Sequence, residues 1–73
     1  MIPSEKIKIF CIENDISIAE LGRRLGKSSQ AFSQKVKRGV FTIQDLEDIA
    51  AVTGVTLECA FIMPGGERFI INI

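Results

Sequence analysis

The sequence predicts a mainly α-helical domain, in which four short helices are followed by a C-terminal β-hairpin. Up to residue 53, apolar side chains recur at intervals of three and four residues, which is the period of amphipathic helices. After Val55 the interval changes to two, which is the period of a strand with alternating faces. A chain of 73 residues has the length of one small domain, so we expect a single domain over residues 1–73.

The first helix is expected over residues 4–14, with Ser4 as its N-cap. One face of this helix carries three apolar residues at helical spacing: Ile7, Phe10 and Cys11. Ile9 and Ile12 lie on the flank, so the helix is more apolar than a single buried stripe requires. Two explanations stay open for this excess, a broad contact with the C-terminal hairpin or part of a dimer surface.

Two further helices are expected over residues 17–25 and 28–38, joined by a tight turn at Gly26. Ser17 is the candidate N-cap of the first of them, and Glu20 would complete a capping box with it. The apolar residues of both helices are spaced by four, so each helix turns one stripe inward: Leu21 and Leu25, then Phe32 and Val36.

A glycine stands inside the second predicted helix at Gly22. Glycine costs roughly 1 kcal/mol against alanine in a helix interior, so its presence there calls for a reason. A close approach of the third helix would supply one, and without that approach the glycine has no structural role.

The outward face of the third predicted helix is polar. Its residues are small, amide-bearing or basic: Ser29, Gln30, Ala31, Ser33, Gln34, Lys35, Lys37 and Arg38. Such a face can lie against a polyanion and hydrogen-bond to base edges. An ordinary solvated basic helix face is the alternative interpretation.

The fourth helix is expected over residues 42–53, with Thr42 as N-cap and Asp45 as an acidic variant of the capping box. Asp45, Glu47 and Asp48 crowd the first half of this helix. Carboxylates are stabilised near a helix N-terminus, and this explanation is sufficient without a catalytic or metal site.

A β-hairpin is expected over residues 56–73, with a Pro-Gly-Gly turn at residues 64–66. An isolated hairpin is marginally stable in water, so it must pack on the helices or pair with another chain. Both of its faces carry apolar residues, which favours strand pairing across a two-fold axis and therefore a homodimer. The residues expected at this dimer interface are Ile62, Phe69, Ile70 and Ile71.

The stretch over residues 17–38, S-I-A-E-L-G-R-R-L-G-K-S-S-Q-A-F-S-Q-K-V-K-R, resembles the helix-turn-helix of the phage-repressor family, which includes Cro and lambda-repressor-like domains. The family's buried anchors fall on Leu21, Leu25 and Phe32. Its small residue at the helix–helix contact falls on Gly22, and its turn glycine falls on Gly26. The resemblance covers roughly residues 4–56. It implies a lambda-repressor-like four-helix domain that binds double-stranded DNA through its third helix.

Three positions depart from the family's pattern. Ile18 stands where many members have a glutamine that contacts a phosphate, so that backbone contact is not expected here. Lys27 stands where valine or methionine is usual, and Phe32 and Val36 are four apart where many members have a spacing of three. Most members also have a fifth helix in place of the hairpin, although Cro ends in strands.

The net charge of the chain is zero, but the charges are unevenly distributed. Residues 1–40 carry a net charge of +4, and residues 41–73 carry a net charge of −4. Six of the nine basic residues lie within the stretch that resembles a helix-turn-helix. A chain with its positive charge concentrated on one motif can bind DNA there although its total charge is zero.

An enzyme is the class that the sequence favours least. The chain has no histidine, no GxSxG, no P-loop, no Gly-rich dinucleotide loop and no paired cysteines, so we expect no catalytic residue, metal or cofactor. Cys11 and Cys59 are far apart and fit two buried thiols in a reducing compartment. With no signal peptide and no apolar run of about 20 residues, we expect a cytoplasmic protein that does not enter membranes.

The first hypothesis for function is a sequence-specific DNA-binding transcription regulator, acting as a homodimer, with residues 28–38 in the major groove. Gln30 and Gln34 would read bases, because an amide can donate and accept at once. Basic residues would neutralise phosphates. The residues expected at DNA are Ser17, Lys27, Ser28, Ser29, Gln30, Ala31, Ser33, Gln34, Lys35, Lys37 and Arg38.

The second hypothesis is a protein-interaction module that binds a partner through the hairpin and the first helix, as an antitoxin-like protein would. The zero net charge, Ile18 and the apolar hairpin favour this hypothesis. The two hypotheses differ in their expected salt dependence, because phosphate binding weakens steeply as salt rises and apolar association does not.

Overall fold

The computed structural model describes residues 4–72, which form four helices and one two-stranded antiparallel sheet. The helices are α1 (Ser4–Glu13), α2 (Ile18–Arg24), α3 (Ser29–Arg38) and α4 (Ile43–Thr53), and the strands are β1 (Ala60–Ile62) and β2 (Arg68–Ile70). The prediction of a mainly helical chain with a C-terminal hairpin is therefore confirmed. Residues 1–3 and 73, which include the last residue of the predicted hairpin, lie outside the described part.

The core is built from one apolar stripe of each helix and from the loop after α3. Its buried members are Ile7, Cys11, Leu21, Phe32, Val36, Phe41, Ile49 and Ala50. Phe32 lies at the centre, and the ring of Phe41 meets it edge-on with a centroid distance of 6.3 Å. The predicted inward stripes of α2 and α3 are confirmed, with Leu25 half-buried at the margin of the core.

Side chains cap the helices close to where the sequence predicts. The Ser28 hydroxyl accepts a hydrogen bond from the Ala31 backbone N–H at 3.1 Å and begins α3. Thr42 and Asp45 form the predicted reciprocal capping box of α4, with hydrogen bonds of 3.1 and 2.8 Å. Ser4, which was expected to be the N-cap of the first helix, is instead the first helical residue of α1.

The predicted capping box of α2 is only half formed. The Ser17 hydroxyl accepts from the Glu20 backbone N–H at 2.9 Å, as expected. The Glu20 carboxylate does not return to the Ser17 backbone, because it is bound by the guanidinium groups of Arg23 and Arg24 one turn later. The prediction of a full box was therefore wrong, since two cations outcompete one backbone N–H for this carboxylate.

Gly22 lies where α2 crosses α3, and the crossing requires a glycine. A Cβ atom on Gly22 would lie 2.7 Å from the Phe32 Cβ and 3.0 Å from its Cγ. The explanation by a close approach of the third helix is confirmed. After α2, Gly26 takes the left-handed conformation with φ of 78°, and the Lys27 N–H donates to the Gly22 carbonyl at 2.9 Å, which completes the tight turn.

The hairpin has the predicted antiparallel pairing and turn, but its strands are only three residues long. The Gly66 N–H donates to the Met63 carbonyl at 2.8 Å across Pro64, and Gly66 itself is left-handed with φ of 92°. The strand register is Ala60–Ile70, Phe61–Phe69 and Ile62–Arg68. The direct pairing of two phenylalanines places both rings on the same face of the sheet.

The hairpin projects away from the helices. No Cα atom of β1 or β2 lies within 8 Å of a Cα atom of any helix. The chain measures 43 × 23 × 20 Å, and its radius of gyration of 13.5 Å exceeds the roughly 11 Å expected of a compact chain of this length. Ile9 and Ile12 of α1 stay 50% and 77% exposed, so the explanation of their apolar flank by a contact with the hairpin is wrong within the single chain.

Candidate nucleic-acid interface

The outward face of α3 carries a straight row of long polar side chains. Gln30, Gln34 and Arg38 follow one another at intervals of four and are all exposed. They lie on the side of the helix opposite the buried residues Phe32 and Val36. Because none of the three side chains is packed in the core, the row can meet a ligand without a change in the fold.

Basic residues flank this row at both ends of α3. Lys27 precedes the helix, whereas Lys37 and Arg38 lie in its last turn. Within residues 4–72, none of these three cations has a carboxylate oxygen within 4.0 Å. Their charges therefore face solvent uncompensated by a direct partner in that part of the chain.

Lys35 differs from the other basic residues of α3 because its ammonium group is paired with a carboxylate of the same chain. Its Nζ lies 3.2 Å from Asp45 Oδ2 and 5.7 Å from the centroid of the Phe41 ring. The backbone N–H of Thr42 and the Lys35 ammonium both hold the pKa of Asp45 below its ordinary value. Lys35 thus joins α3 to α4, and it is less available to a phosphate than sequence alone suggested.

On α2, the two arginines share one carboxylate. Arg23 Nε lies 3.1 Å from Glu20 Oε1, and Arg24 Nε lies 3.0 Å from Glu20 Oε2. Hydrogen bonds from Arg23 and then from Arg24 lower the pKa of Glu20. The cluster carries one net positive charge at neutral pH and extends from Glu20 in the first turn of α2 to the two arginines in its last turn.

The small residues of the predicted interface line a cleft between the beginnings of α2 and α3. Ser17, Ser28 and Ser29 line this cleft, which has a volume of about 460 Å³, together with Lys27, Ala19 and the paired Glu20 and Arg23. The Ser17 and Ser28 hydroxyls already accept cap hydrogen bonds, but each O–H can still donate to a ligand.

A second, shallower groove of about 230 Å³ lies over the first turns of α3. Ser28, Gln30, Ala31 and Gln34 line it. Ser33 is half-buried on the flank of the helix and does not line either space. The fold therefore brings together most of the residues that sequence reasoning selected, with Ser33 and Lys35 at the margin.

The four residues that were expected at a dimer interface do not share one surface. Ile62 and Ile70 lie on one face of the hairpin, and Phe69 and Ile71 lie on the other, because side chains alternate along each strand. Phe61, which the sequence analysis did not select, is 63% exposed and pairs directly with Phe69. Its position opposite Phe69 follows from the strand register. A register counted outward from the Pro-Gly-Gly turn would have predicted this pair.

Asn72 is a second residue that sequence reasoning missed. Its side-chain amide donates to the Leu57 carbonyl at 2.7 Å, and its Oδ1 accepts from the Cys59 N–H at 2.8 Å. The side chain thereby closes the open end of the hairpin in place of a backbone pair. A single asparagine after an apolar run carries no sequence signal for this role.

The described residues offer little for metal or thiol chemistry. Between Ser4 and Asn72, no group of three or more Cys, Asp or Glu side chains is placed to hold a metal ion. Cys11 is buried, and burial raises the pKa of its thiol. Cys59 is only half-buried and is not in a disulfide, so the expectation of two buried thiols holds for Cys11 alone.

Comparison of the chain with protein families, with curated proteins and with solved structures finds no match. None of the four helices has the length and apolar character needed to cross a membrane, as far as residues 4–72 are concerned.

Proposed function

We propose that this protein is a cytoplasmic, sequence-specific DNA-binding regulator of the lambda-repressor-like helix-turn-helix class, with α3 as its recognition helix. The observation that carries the proposal is the exposed row of Gln30, Gln34 and Arg38, set opposite the buried stripe of a well-anchored helix. A row at intervals of four spans about two helical turns, which suits a helix lying in a major groove about 12 Å wide.

Anchoring of α3 supports this role. Phe32 is 1% exposed and touches α2 at Gly22, where no side chain could intervene. The Lys35–Asp45 pair ties the other flank of α3 to α4. A helix held on both sides presents its outer side chains in a fixed geometry, which base recognition needs.

Phosphate contacts in the proposal come from the cations without a direct carboxylate partner. Lys37 and Arg38 lie at the C-terminal end of α3, and Lys27 lies beside the cleft before it. Ser17, Ser28 and Ser29 hydroxyls at this cleft would donate to phosphate oxygens, as short polar side chains do in protein–DNA interfaces. Lys35 would contribute through its charge rather than by direct contact.

A homodimer completes the proposal. A domain with few cationic contacts gains affinity when two copies bind half-sites about one helical turn apart. The hairpin supplies exposed apolar residues for that dimer: of the residues expected from sequence, Phe69 and Ile71 lie on the same exposed face as Phe61, and we assign that face to the interface.

Titration of a labelled random-sequence duplex at several salt concentrations, followed by fluorescence anisotropy, tests the proposal. The logarithm of the affinity should fall linearly with the logarithm of salt, with a slope of about −0.9 for each phosphate neutralised. Lys37→Ala should reduce this slope by about 1. Lys8→Ala, an exposed lysine of α1, is the matched control and should leave the slope unchanged. No binding at low salt would overturn the proposal.

Gln30 makes the sequence-reading part of the proposal testable. Once a preferred duplex has been selected, Gln30→Ala should cost about 1–3 kcal/mol on that duplex and little on random DNA. Gln44→Ala is the control, because Gln44 lies on α4 rather than on α3. Its side-chain amide donates to Asp48 of the same helix at 3.0 Å. If Gln30→Ala preserved the ratio of the two affinities, Gln30 would not be a base-reading residue.

The exposed hairpin favours one second candidate, a protein-interaction module of the antitoxin-like kind. Phe61 and Phe69 are 63% and 57% exposed and lie side by side. Apolar association through these rings would be nearly independent of salt, in contrast to phosphate binding. The salt dependence of binding therefore separates the two candidates. Affinity that falls steeply with salt favours DNA binding, and affinity that is nearly independent of salt favours a protein partner.

A further inference from the structure

One face of the hairpin is apolar and uncovered. Phe61, Met63, Phe69 and Ile71 alternate onto this face, which is called the aromatic face below, and all four are exposed. The opposite face is covered in part, because Arg68 reaches Glu58 across the Ala60–Ile70 pair. The aromatic face is therefore the larger uncovered apolar surface of the hairpin, because the opposite face exposes Ile62 beside this ion pair.

The helices of the same chain leave the aromatic face uncovered, since Phe61 and Phe69 are 63% and 57% exposed. Both strands lie more than 8 Å, Cα to Cα, from every helix. The Asn72 side chain bridges Leu57 and Cys59 at the base of the hairpin. The partner of the aromatic face must then come from another molecule.

An apolar groove lies at the base of the hairpin. It has a volume of about 270 Å³ and runs between α1, α4 and the segment that leads into β1. Phe10, Leu46, Val55 and Leu57 contribute to its walls, and Lys6 is the one charged residue that lines it. This groove is open, so both it and the aromatic face expose apolar surface in the single chain.

We propose that the partner is a second copy of this chain, and that the aromatic face of each copy docks in the groove of the other. The two surfaces are complementary in charge as well as in polarity. Glu67 lies on the aromatic face, two residues before Phe69, and it would meet Lys6 at the rim of the partner's groove.

The position of the groove allows the two copies to dock reciprocally. Val55 and Leu57 line the groove and also lead into the hairpin, so the hairpin of each copy starts beside its own groove. A two-fold axis next to this point sends each hairpin along the groove of the other copy and closes the assembly at two chains. Strand-to-strand pairing of the hairpins would leave both grooves open.

The area available fits a dimer of moderate affinity. A phenylalanine that is about 60% exposed leaves roughly 100–150 Å² to bury. Four such rings, with the groove walls they cover, give roughly 1,000 Å² in total, which is the lower limit for a specific interface. The reciprocal arrangement doubles every contact, and this doubling is what brings the area to that limit.

This inference specifies the homodimer of the proposed function and rests on it, but its test contains no DNA. Sedimentation equilibrium of the full chain should show a dimer. Phe61→Ser/Phe69→Ser, which removes the aromatic face, and Val55→Arg, which fills the groove with charge, should each be monomeric. Both changes affect residues outside the buried core, and helical circular dichroism checks that each variant is folded.

Mixing the two monomeric variants is the deciding measurement. The Val55→Arg chain keeps its aromatic face and the double variant keeps its groove, so together they can form one of the two contacts. A heterodimer, weaker than the wild-type dimer, is the expected result. Strand pairing relies on main-chain hydrogen bonds rather than on the rings or the groove, so it predicts that both variants stay dimeric, and a dimeric Val55→Arg chain overturns the inference.

Ile62→Ser is the matched control. Ile62 is 65% exposed, nearly as much as Phe61, and is its neighbour on the opposite face of β1. This variant should remain a dimer. Its conversion to a monomer, or a wild-type chain that is monomeric at every concentration, overturns reciprocal docking. The DNA titration of the proposed function is read separately, so failure of one proposal is distinguishable from failure of the other.

Discussion

Gly22 is the residue whose identity the packing constrains most tightly. Helix propensity alone would favour alanine there by about 1 kcal/mol. The Phe32 Cβ would lie 2.7 Å from the added methyl group, and Phe32 is almost completely buried and has no room to retreat. Overpacking of a tight contact costs about 1–3 kcal/mol, so packing outweighs propensity at this position.

Gly22→Ala should therefore lower the free energy of unfolding by on the order of 1 kcal/mol after the gain in propensity is deducted. Urea unfolding measures this change. Ala19→Gly is the matched control, because Ala19 is exposed on the same helix and reports the propensity difference without a contact at α3. A stabilised Gly22→Ala variant would show that α2 and α3 can separate at no cost.

At the same scale, local sequence predicted the caps well and the ion pairs poorly. Ser28, Thr42 and Asp45 cap helices through neighbours three residues away, so sequence spacing was sufficient. The partner of Lys35 is Asp45, ten residues away, and only the packing of α3 against α4 brings the two together. Sequence spacing carries no information about such a contact.

At the scale of elements, the helices were predictable and the placement of the hairpin was not. All four helices have an apolar period, α2, α3 and α4 also have side-chain N-caps, and each helix begins and ends within one residue of the predicted bounds. The alternation after Val55 predicted strands and a turn, but two apolar faces gave no direction in which to pack them. Packing on the helices and pairing with another chain therefore both stayed open, and in the single chain the hairpin projects.

Asn72 is expected to determine the stability of this projecting element. Asn72→Ala removes two hydrogen bonds at the open end of the hairpin, each worth about 1 kcal/mol. Amide exchange at Ile71, whose N–H donates to the Cys59 carbonyl, should accelerate while exchange in the helices is unchanged.

Asn14→Ala provides the control for that exchange measurement. Asn14 also donates a side-chain hydrogen bond, at 2.9 Å to the Phe10 carbonyl, but it lies just after α1. Its loss should leave Ile71 protected. Unchanged exchange at Ile71 in Asn72→Ala would mean that the backbone bonds of the two strands suffice to close the hairpin.

At the scale of the whole molecule, the chain consists of two parts. The helical body (α1–α4) has a core of its own, and the hairpin that follows it forms a projecting arm (residues 58–72). Among residues 4–72, all core residues lie between Ile7 and Ala50, and the hairpin contributes none of them. The charge is divided in a related way, since residues 1–40 are net positive and residues 41–73 are net negative. The net charge and the composition of the whole chain therefore reveal neither the separation of core from hairpin nor the uneven distribution of charge.

A chain that ends at Leu57 should accordingly keep the helical body folded. We expect its far-ultraviolet circular dichroism to remain helical and its thermal unfolding to remain cooperative, measured at a concentration at which the full chain is monomeric. The full chain at that concentration is the reference. A truncated chain without a cooperative transition would show that the arm stabilises the core despite its distance from the helices.

The division of α3 into a buried stripe and an outer row has a practical consequence for engineering. Gln30, Gln34 and Arg38 are exposed and contribute nothing to the core, whereas Phe32 and Val36 hold the helix in place. A library randomised at these three outer positions should consist mostly of folded proteins, because surface substitutions usually change stability by less than about 0.5 kcal/mol. Under the proposed function, selection from that library would act on binding alone, and the helix could be given new target sequences while the rest of the chain stays as it is.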